Sequence, residues 1–174
     1  MARPEQYDFN RSTFLYSERI SLEDLPEDSR VRDTHKFWRD LSPAPTLPAR
    51  SDFGPADIPR DILPWIFLME VLREADGKFD FRYKLAGTSN VSLVQRDPTG
   101  KRASEIFRNG DRNFMLESFD ITVLLAEPTF WDAAVPHDRI EQIEIWRGLF
   151  PLAEDRKTVD TLLGIAVPKN YRPG

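Results

Sequence analysis

The sequence predicts an α+β domain: a five-stranded antiparallel sheet with its helices gathered on one face, preceded by an N-terminal helical extension. Three observations carry that reading. Residues 79–85 alternate, with Phe79, Phe81, Tyr83 and Leu85 on one side and Asp80, Arg82 and Lys84 on the other, the period of a strand with one wet face. After Gly87 the alternation stops and short helical periodicities follow as far as Pro128. From Thr129 onward strand-like runs return, so the order is strands, then helices, then strands.

At 174 residues the chain is expected to form one domain, long enough to bury about 70% of its unfolded surface. It has no cysteine, which removes disulfides, thiolate zinc sites and thiol nucleophiles and agrees with a reducing compartment. No signal-peptide core and no run approaching the roughly 20 apolar residues of a membrane span is present, so a soluble cytoplasmic protein is expected, with no membrane partner. A net charge of -5 opposes nucleic-acid binding, which concentrates Lys and Arg on one face.

The elements follow in order. Residues 27–41 place Val31, His35, Trp38 and Leu41 at helical spacing, with Asp28 or Ser29 as N-cap. The aromatic face of this helix, which also carries Phe37, needs a cover: the domain itself or a second copy of the chain. Residues 42–59 hold five prolines and a glycine and read as an extended surface linker. The division is therefore 1–59 as extension and linker, 60–168 as the domain, and 169–174 as a tail. A helical turn at Asp61–Trp65 leads into a strand at 66–73, a turn at 75–77 and a strand at 79–87. Short helices are expected around TSNVSLVQ and ASEIF, and a longer one over 111–126 with Phe114, Phe119, Val123 and Leu124 as its apolar stripe, closed by Pro128. Strands at 129–135, 140–150 and 159–167 complete the sheet. Gly100, after Asp97-Pro98-Thr99, suits a turn with positive φ.

The order of elements, together with ILPWIFLMEV, FRYKLAGT, DPTGKRASEIF and FPLAEDRKTVDTLLGI, resembles the PAS sensor domain, in particular a family of stand-alone bacterial PAS proteins, over residues 35–167. The resemblance implies a signalling module of bacterial origin that senses a ligand or binds a protein, with no catalytic residues to carry over. It also implies association through a helix flanking the sheet. A homodimer or a signalling-protein partner is therefore expected, with Val31, His35, Phe37, Trp38 and Leu41 at the interface.

Other chemistry is thin. The GK at 100–101 is not a phosphate loop, because Gln95 stands where the first glycine belongs and Arg102 where Ser or Thr would follow. His137 with Asp138 reads as a solvated turn, and His35 as a packed or interface histidine. Two histidines and no cysteine make no recognisable zinc site. No nucleophile elbow, metalloprotease helix or dinucleotide fingerprint appears, so an enzyme is not expected. Among the cofactors that PAS domains carry, cysteinyl flavin adducts and thioester-linked chromophores need a thiol that is absent. Haem is disfavoured because residues 111–126 contain no histidine, with Met115 only a weak axial ligand. A non-covalent flavin or a small apolar or carboxylate metabolite stays open, lined by Tyr83, Trp131 or Phe130, and Trp146 from the sheet and by Asn90, Phe107 and Phe114 from the helices; the same rings could simply fill the core. A ligand sensor requires a cavity of about 300 Å³ or more. A pure interaction adaptor would have a filled core.

Overall fold

The computed structural model describes residues 15–106, 114–137 and 140–170. One antiparallel sheet runs through it, built from β1 (Tyr16–Ile20), β2 (Ile66–Arg73), β3 (Phe79–Ala86), β4 (Thr129–Val135), β5 (Ile143–Leu152) and β6 (Thr161–Pro168) in the order β1-β4-β5-β6-β2-β3. The five strands expected from sequence are all present. A sixth, β1, was missed: Tyr16–Ile20 pairs with β4 in register Tyr16↔Ala134 to Ile20↔Phe130. YSERI is short and polar, and its cross-strand partners lie over a hundred residues away, so nothing local marks it.

Helices cover both faces of the sheet, which corrects the expectation of one wet face. On the inner face lie α2 (Thr88–Val94), α3 (Ala103–Ile106) and α4 (Phe114–Leu125), packed over Phe67, Met69, Phe81, Tyr83, Trp131, Ile145 and Leu149. On the outer face lies α1 (Arg30–Asp40), whose N-cap is Ser29, with Oγ accepting from the Val31 N–H at 3.2 Å. It rests on β5 and β6, with Val31 fully buried among Ile66, Phe150, Leu163 and Ile165. The helix thus folds back over its own sheet, the first of the two covers considered for it. Trp38 Nε1 donates to the Pro151 carbonyl at 2.8 Å, and His35 packs against the rings of Phe130 and Phe150 at 5.6 and 6.2 Å. An interface through Val31 is closed by this intrachain packing, while Phe37 and Leu41 stay half-buried at the rim.

The proline-rich stretch is ordered by single 3-10 turns at Arg50–Asp52, Pro55–Asp57 and Leu63–Trp65. It buries Leu47, Phe53, Ile58 and Ile62, and Asp52 pairs with Arg156 across it. The described residues of the expected extension and linker (1–59), from β1 to Pro59, therefore pack against the same body. Helix and sheet approach closely at Gly148, where an added Cβ would stand 2.7 Å from Val31 Cγ1 and 2.9 Å from the Phe150 ring.

The alternation in β3 breaks at its end. Leu68 pairs with Leu85 and Met69 with Tyr83, a bulge that skips Lys84. Residues past the bulge change face, and Leu85, expected inward, is exposed. Asp80, expected in solvent, is 7% exposed because it meets the start of α3: Ser104 Oγ donates to Asp80 Oδ2 at 2.6 Å and Ser104 N to Oδ1 at 3.2 Å. The DPTGK turn lies along the free edge of β3, where Gly100 N donates to the Tyr83 carbonyl at 2.7 Å and Tyr83 N to the Lys101 carbonyl at 3.0 Å. Gly100 has φ of +85°, the conformation its turn sequence anticipates.

Candidate functional site

Between the inner sheet face and helices α2 and α4 is a small cavity of about 30 Å³. Its walls are mostly apolar, from Phe67, Leu93, Ile145 and Ala166, and its polar groups belong to Tyr83, Asn90, Arg96 and Arg147. Each is placed by its element. Tyr83 comes from the alternation of β3 before the bulge. Asn90 points inward from the first turn of α2, its amide 3.5 Å from the Trp65 carbonyl. Arg96 follows Gln95, which ends α2 in the left-handed conformation at φ of 61°.

Arg147 is the unexpected member. It sits in the middle of β5 between Ile145 and Leu149, all three on the inner face, and is 1% exposed. Its Nη1 donates to Ser118 Oγ at 3.2 Å and its Nη2 to the thioether of Met115 at 3.3 Å, both on α4. The Ser118 hydroxyl in turn donates to the Met115 carbonyl at 2.7 Å. The Phe119 ring centroid is 5.9 Å from the guanidinium carbon. Burial pulls the Arg147 pKa down to about 10, opposed by the Tyr83 hydroxyl, so the group stays cationic at neutral pH. Burial pushes the Tyr83 phenol up, opposed by Arg147 and Arg96.

Beside the cavity a second polar chain closes α4 onto β4. Thr122 Oγ1 donates to the Ser118 carbonyl at 2.8 Å and lies 2.7 Å from Thr129 Oγ1, which accepts from Trp131 Nε1 at 2.9 Å. Farther along α4, Asp120 has its pKa raised to about 6, first by burial and then by the charges of Asp80 and Glu117. One of its carboxylate oxygens has no hydrogen-bond partner.

Of the expected ligand-lining residues, the structure brings Tyr83 and Asn90 together at the cavity. Trp131 is inside but belongs to the core beside it, and Phe130 faces α1 on the outer side. Trp146 is also on the outer face, under the ammonium of Lys169 at 4.1 Å. The parity of β5 requires this, since Ile145 and Leu149 point the other way. Phe107 and the side chain of Phe114 lie outside the described residues, as does Asp138. Leu124, assigned to the apolar stripe of the long helix, is 72% exposed; Met115, Phe119 and Val123 form that stripe instead. Arg147 itself was overlooked, although the alternation in IEIWRGLF assigns it to the buried side: a charged residue at a core position was the available signal.

A cavity of about 30 Å³ has room near that of one water, not of a flavin or porphyrin ring. Met115, the weak haem ligand considered from sequence, has its sulfur on Arg147. Among the described residues no group of three or more His, Asp or Glu is arranged to hold a metal ion, and no helix is long and apolar enough to cross a membrane.

A search of curated proteins by sequence finds no match. Among solved structures, the chain is similar to a LOV protein of Rhodobacter sphaeroides, at 11% identity and a TM-score of 0.45, over 80% of this chain and 68% of that one. It is also similar to an RNA-binding light-oxygen-voltage receptor, at 8% identity and a TM-score of 0.48, over 88% of this chain and 38% of that one. The model of the PAS domain family matches residues 27–167. That span takes in α1, the proline-rich layer, the helices of the inner face and strands β2 to β6, and on this match the chain belongs to the PAS domain family.

Proposed function

We propose that this PAS domain is a non-catalytic sensory module of bacterial signalling whose input site is the cavity around Arg147. The observation that carries the reading is a guanidinium 1% exposed in the core face of a strand. Desolvating such a charge is unfavourable by several kcal/mol, and an apolar side chain of similar volume would serve packing as well or better. A strongly perturbed charge lining a cleft makes its residue a functional-site candidate. At about 30 Å³ the cavity is far below the roughly 300 Å³ of an open ligand site, so the ligand enters by displacing part of the wall. The pure adaptor reading, a filled core with output through surface contacts, is the alternative; the buried charge weighs against it.

On this reading output passes to a signalling protein or a second copy of the chain. With Val31 buried within the chain, the half-buried His35, Phe37, Trp38 and Leu41 are the members of the expected interface left to meet it. No resident haem or covalently bound flavin is expected, and a Soret band or a flavin spectrum in the purified protein would contradict that. The input site is tested by backbone amide NMR against a library of neutral, acidic and basic fragments. Binding should shift the amides of Tyr83, Asn90, Leu93, Arg147 and Ala166 together. Shifts confined to other surfaces would overturn the reading.

A further inference from the structure

We propose that β1 pairs with the β1 of a second copy of the chain, joining two sheets edge to edge about a twofold axis through Ser17. The pairing does not depend on the cavity being the input site. A terminal strand presents a row of backbone N–H and C=O groups that only water satisfies, which makes it a template for another strand. The sheet ends in two such strands, β1 and β3, and they are finished differently. The β3 edge is occupied by its own chain: the Gly100 N–H donates to the Tyr83 carbonyl at 2.7 Å, the Tyr83 N–H to the Lys101 carbonyl at 3.0 Å, and Arg82 forms a bridge with Arg102. At the β1 edge, among the described residues, no strand or turn pairs with the side away from β4. Glu18 and Arg19 are exposed, as is Leu15 just before the strand at 51%. Neither a proline nor a bulge blocks pairing there.

The strand's own sequence fits it to a second copy and sets the register. Directly opposed residues of an antiparallel pair point to the same face. The pairing of β1 with β4 therefore puts Tyr16, Glu18 and Ile20 on the outer face with Phe130, and Ser17 and Arg19 on the inner face with Trp131 and Ala133. A twofold axis that keeps both faces continuous passes through a residue, never between two. Through Glu18 it would oppose two carboxylates, and through Arg19 two guanidinium groups; both arrangements disfavour pairing. Through Ser17 it opposes Ser17 to its symmetry mate, Tyr16 to Glu18 and Leu15 to Arg19, so no like charges meet and the exposed Leu15 is covered by an arginine stem. Axes nearer either end engage fewer residues of the strand. Ser17 adds an independent sign: its Oγ is closed off from water and has no hydrogen-bond partner within the chain. A turn about χ1 brings it to the same hydroxyl of the second copy, a cross-strand Ser–Ser hydrogen bond. A strand of five residues makes a small contact, at the low end of specific interfaces, so the dimer should dissociate on dilution.

The chain has no cysteine, so a single introduced thiol reports the axis directly. Ser17→Cys, Glu18→Cys and Arg19→Cys are oxidised under the same mild conditions and resolved on a non-reducing gel, and the full chain is sedimented from about 1 to about 100 μM. With the axis at Ser17 the two introduced thiols sit directly opposite, with Cβ atoms about 5 Å apart, whereas two copies of residue 18 or 19 lie beyond the roughly 7 Å Cα separation a disulfide can span. Ser17→Cys should therefore form the covalent dimer at least about tenfold faster than either neighbour. The wild type should pass from monomer to dimer over the concentration range. Ser17→Lys, which sets two ammonium groups on the axis, should stay monomeric at the top of it with an unchanged circular dichroism spectrum. If Ser17→Lys does not fold, the cysteine series carries the test. Cross-linking fastest at Glu18 or Arg19 would overturn the assigned axis. A monomer throughout, with no cross-link at any position, would overturn the pairing. So would a wild-type dimer that Ser17→Lys leaves intact while Ser17→Cys stays unlinked.

Discussion

Replacing Val31 by alanine, Gly148 by alanine, and both together asks whether α1 lies on the sheet of its own chain. Val31 is fully buried, and its Cγ1 stands 2.7 Å from where a Cβ on Gly148 would be. Val31→Ala removes two methyl groups, about 1.6 kcal/mol of transfer free energy at about 0.8 each. A residual cavity of roughly 50 Å³ at about 24 cal/mol per Å³ adds about 1, so a loss of about 2 to 3 kcal/mol is expected. Gly148→Ala overpacks the same spot and should lose about 1 to 3 kcal/mol. In the double variant the new methyl enters space that Val31 has vacated, and the combined loss should fall short of the sum by about 1 kcal/mol. The Phe150 ring, 2.9 Å from the same Cβ position, keeps the compensation partial. The assay is equilibrium urea unfolding, repeated over a wide range of protein concentration. Additivity within about 0.5 kcal/mol would refute the helix-on-sheet contact. A Val31–Gly148 coupling that disappears at the lowest protein concentrations would show the contact to be made between chains.

Three further outcomes are expected. Gly87→Ala should be among the most destabilising single substitutions, several kcal/mol in urea unfolding, because its Cβ would press on the backbone carbonyls of Leu63 and Pro64, which side-chain movement cannot relieve; a loss below about 1 kcal/mol would contradict the close approach. Asp120 has a folded-state pKa of about 6, above its ordinary value of 3.8, so its protonated form favours the fold and that contribution is lost as pH rises from about 4 through 6. Asp120→Asn should therefore exceed the wild type in stability at pH 7.5 by about 1 kcal/mol, a figure already reduced for its half-exposed position, and the difference should vanish near pH 4; no change in the difference between those pH values would contradict it. His35 is depressed by burial and then by Arg39, so its contribution is present above its ordinary value of 6.5 and lost as pH falls through the lower folded value. Unfolding measured against His35→Phe should show the wild type losing ground below pH 6.5, and parallel pH profiles would contradict that.

The legible parts of the fold were those whose signal is local. The strand alternation of β3 up to its bulge, the ADG turn, the positive φ of Gly100 and the stop at Pro128 each depend on a few neighbouring residues, and the structure has them. What escaped depends on distant partners. YSERI becomes a strand only because β4 presents an edge to it. The outer cover of α1 and the proline-rich layer arises from a sheet whose second face is itself apolar at Ile66, Leu68, Leu163 and Ile165, a pattern visible in β2 and β6 as runs that do not alternate. The bulge opposite Leu68 and Met69 reversed the side of Leu85 without any glycine or proline to announce it. At the site, Tyr83 and Asn90 were legible because each lies on the first apolar face of its element. Trp146 was misassigned by favouring ring size over strand parity, and the same parity, applied to Arg147, would have named the central residue.

The most direct measurement is the response of the backbone amides of the full chain to the neutral, acidic and basic fragments. With the cavity as input site, the amides of Tyr83, Asn90, Leu93, Arg147 and Ala166 should move together. Shifts confined to residues away from that cavity, or no shift with any fragment, would contradict it.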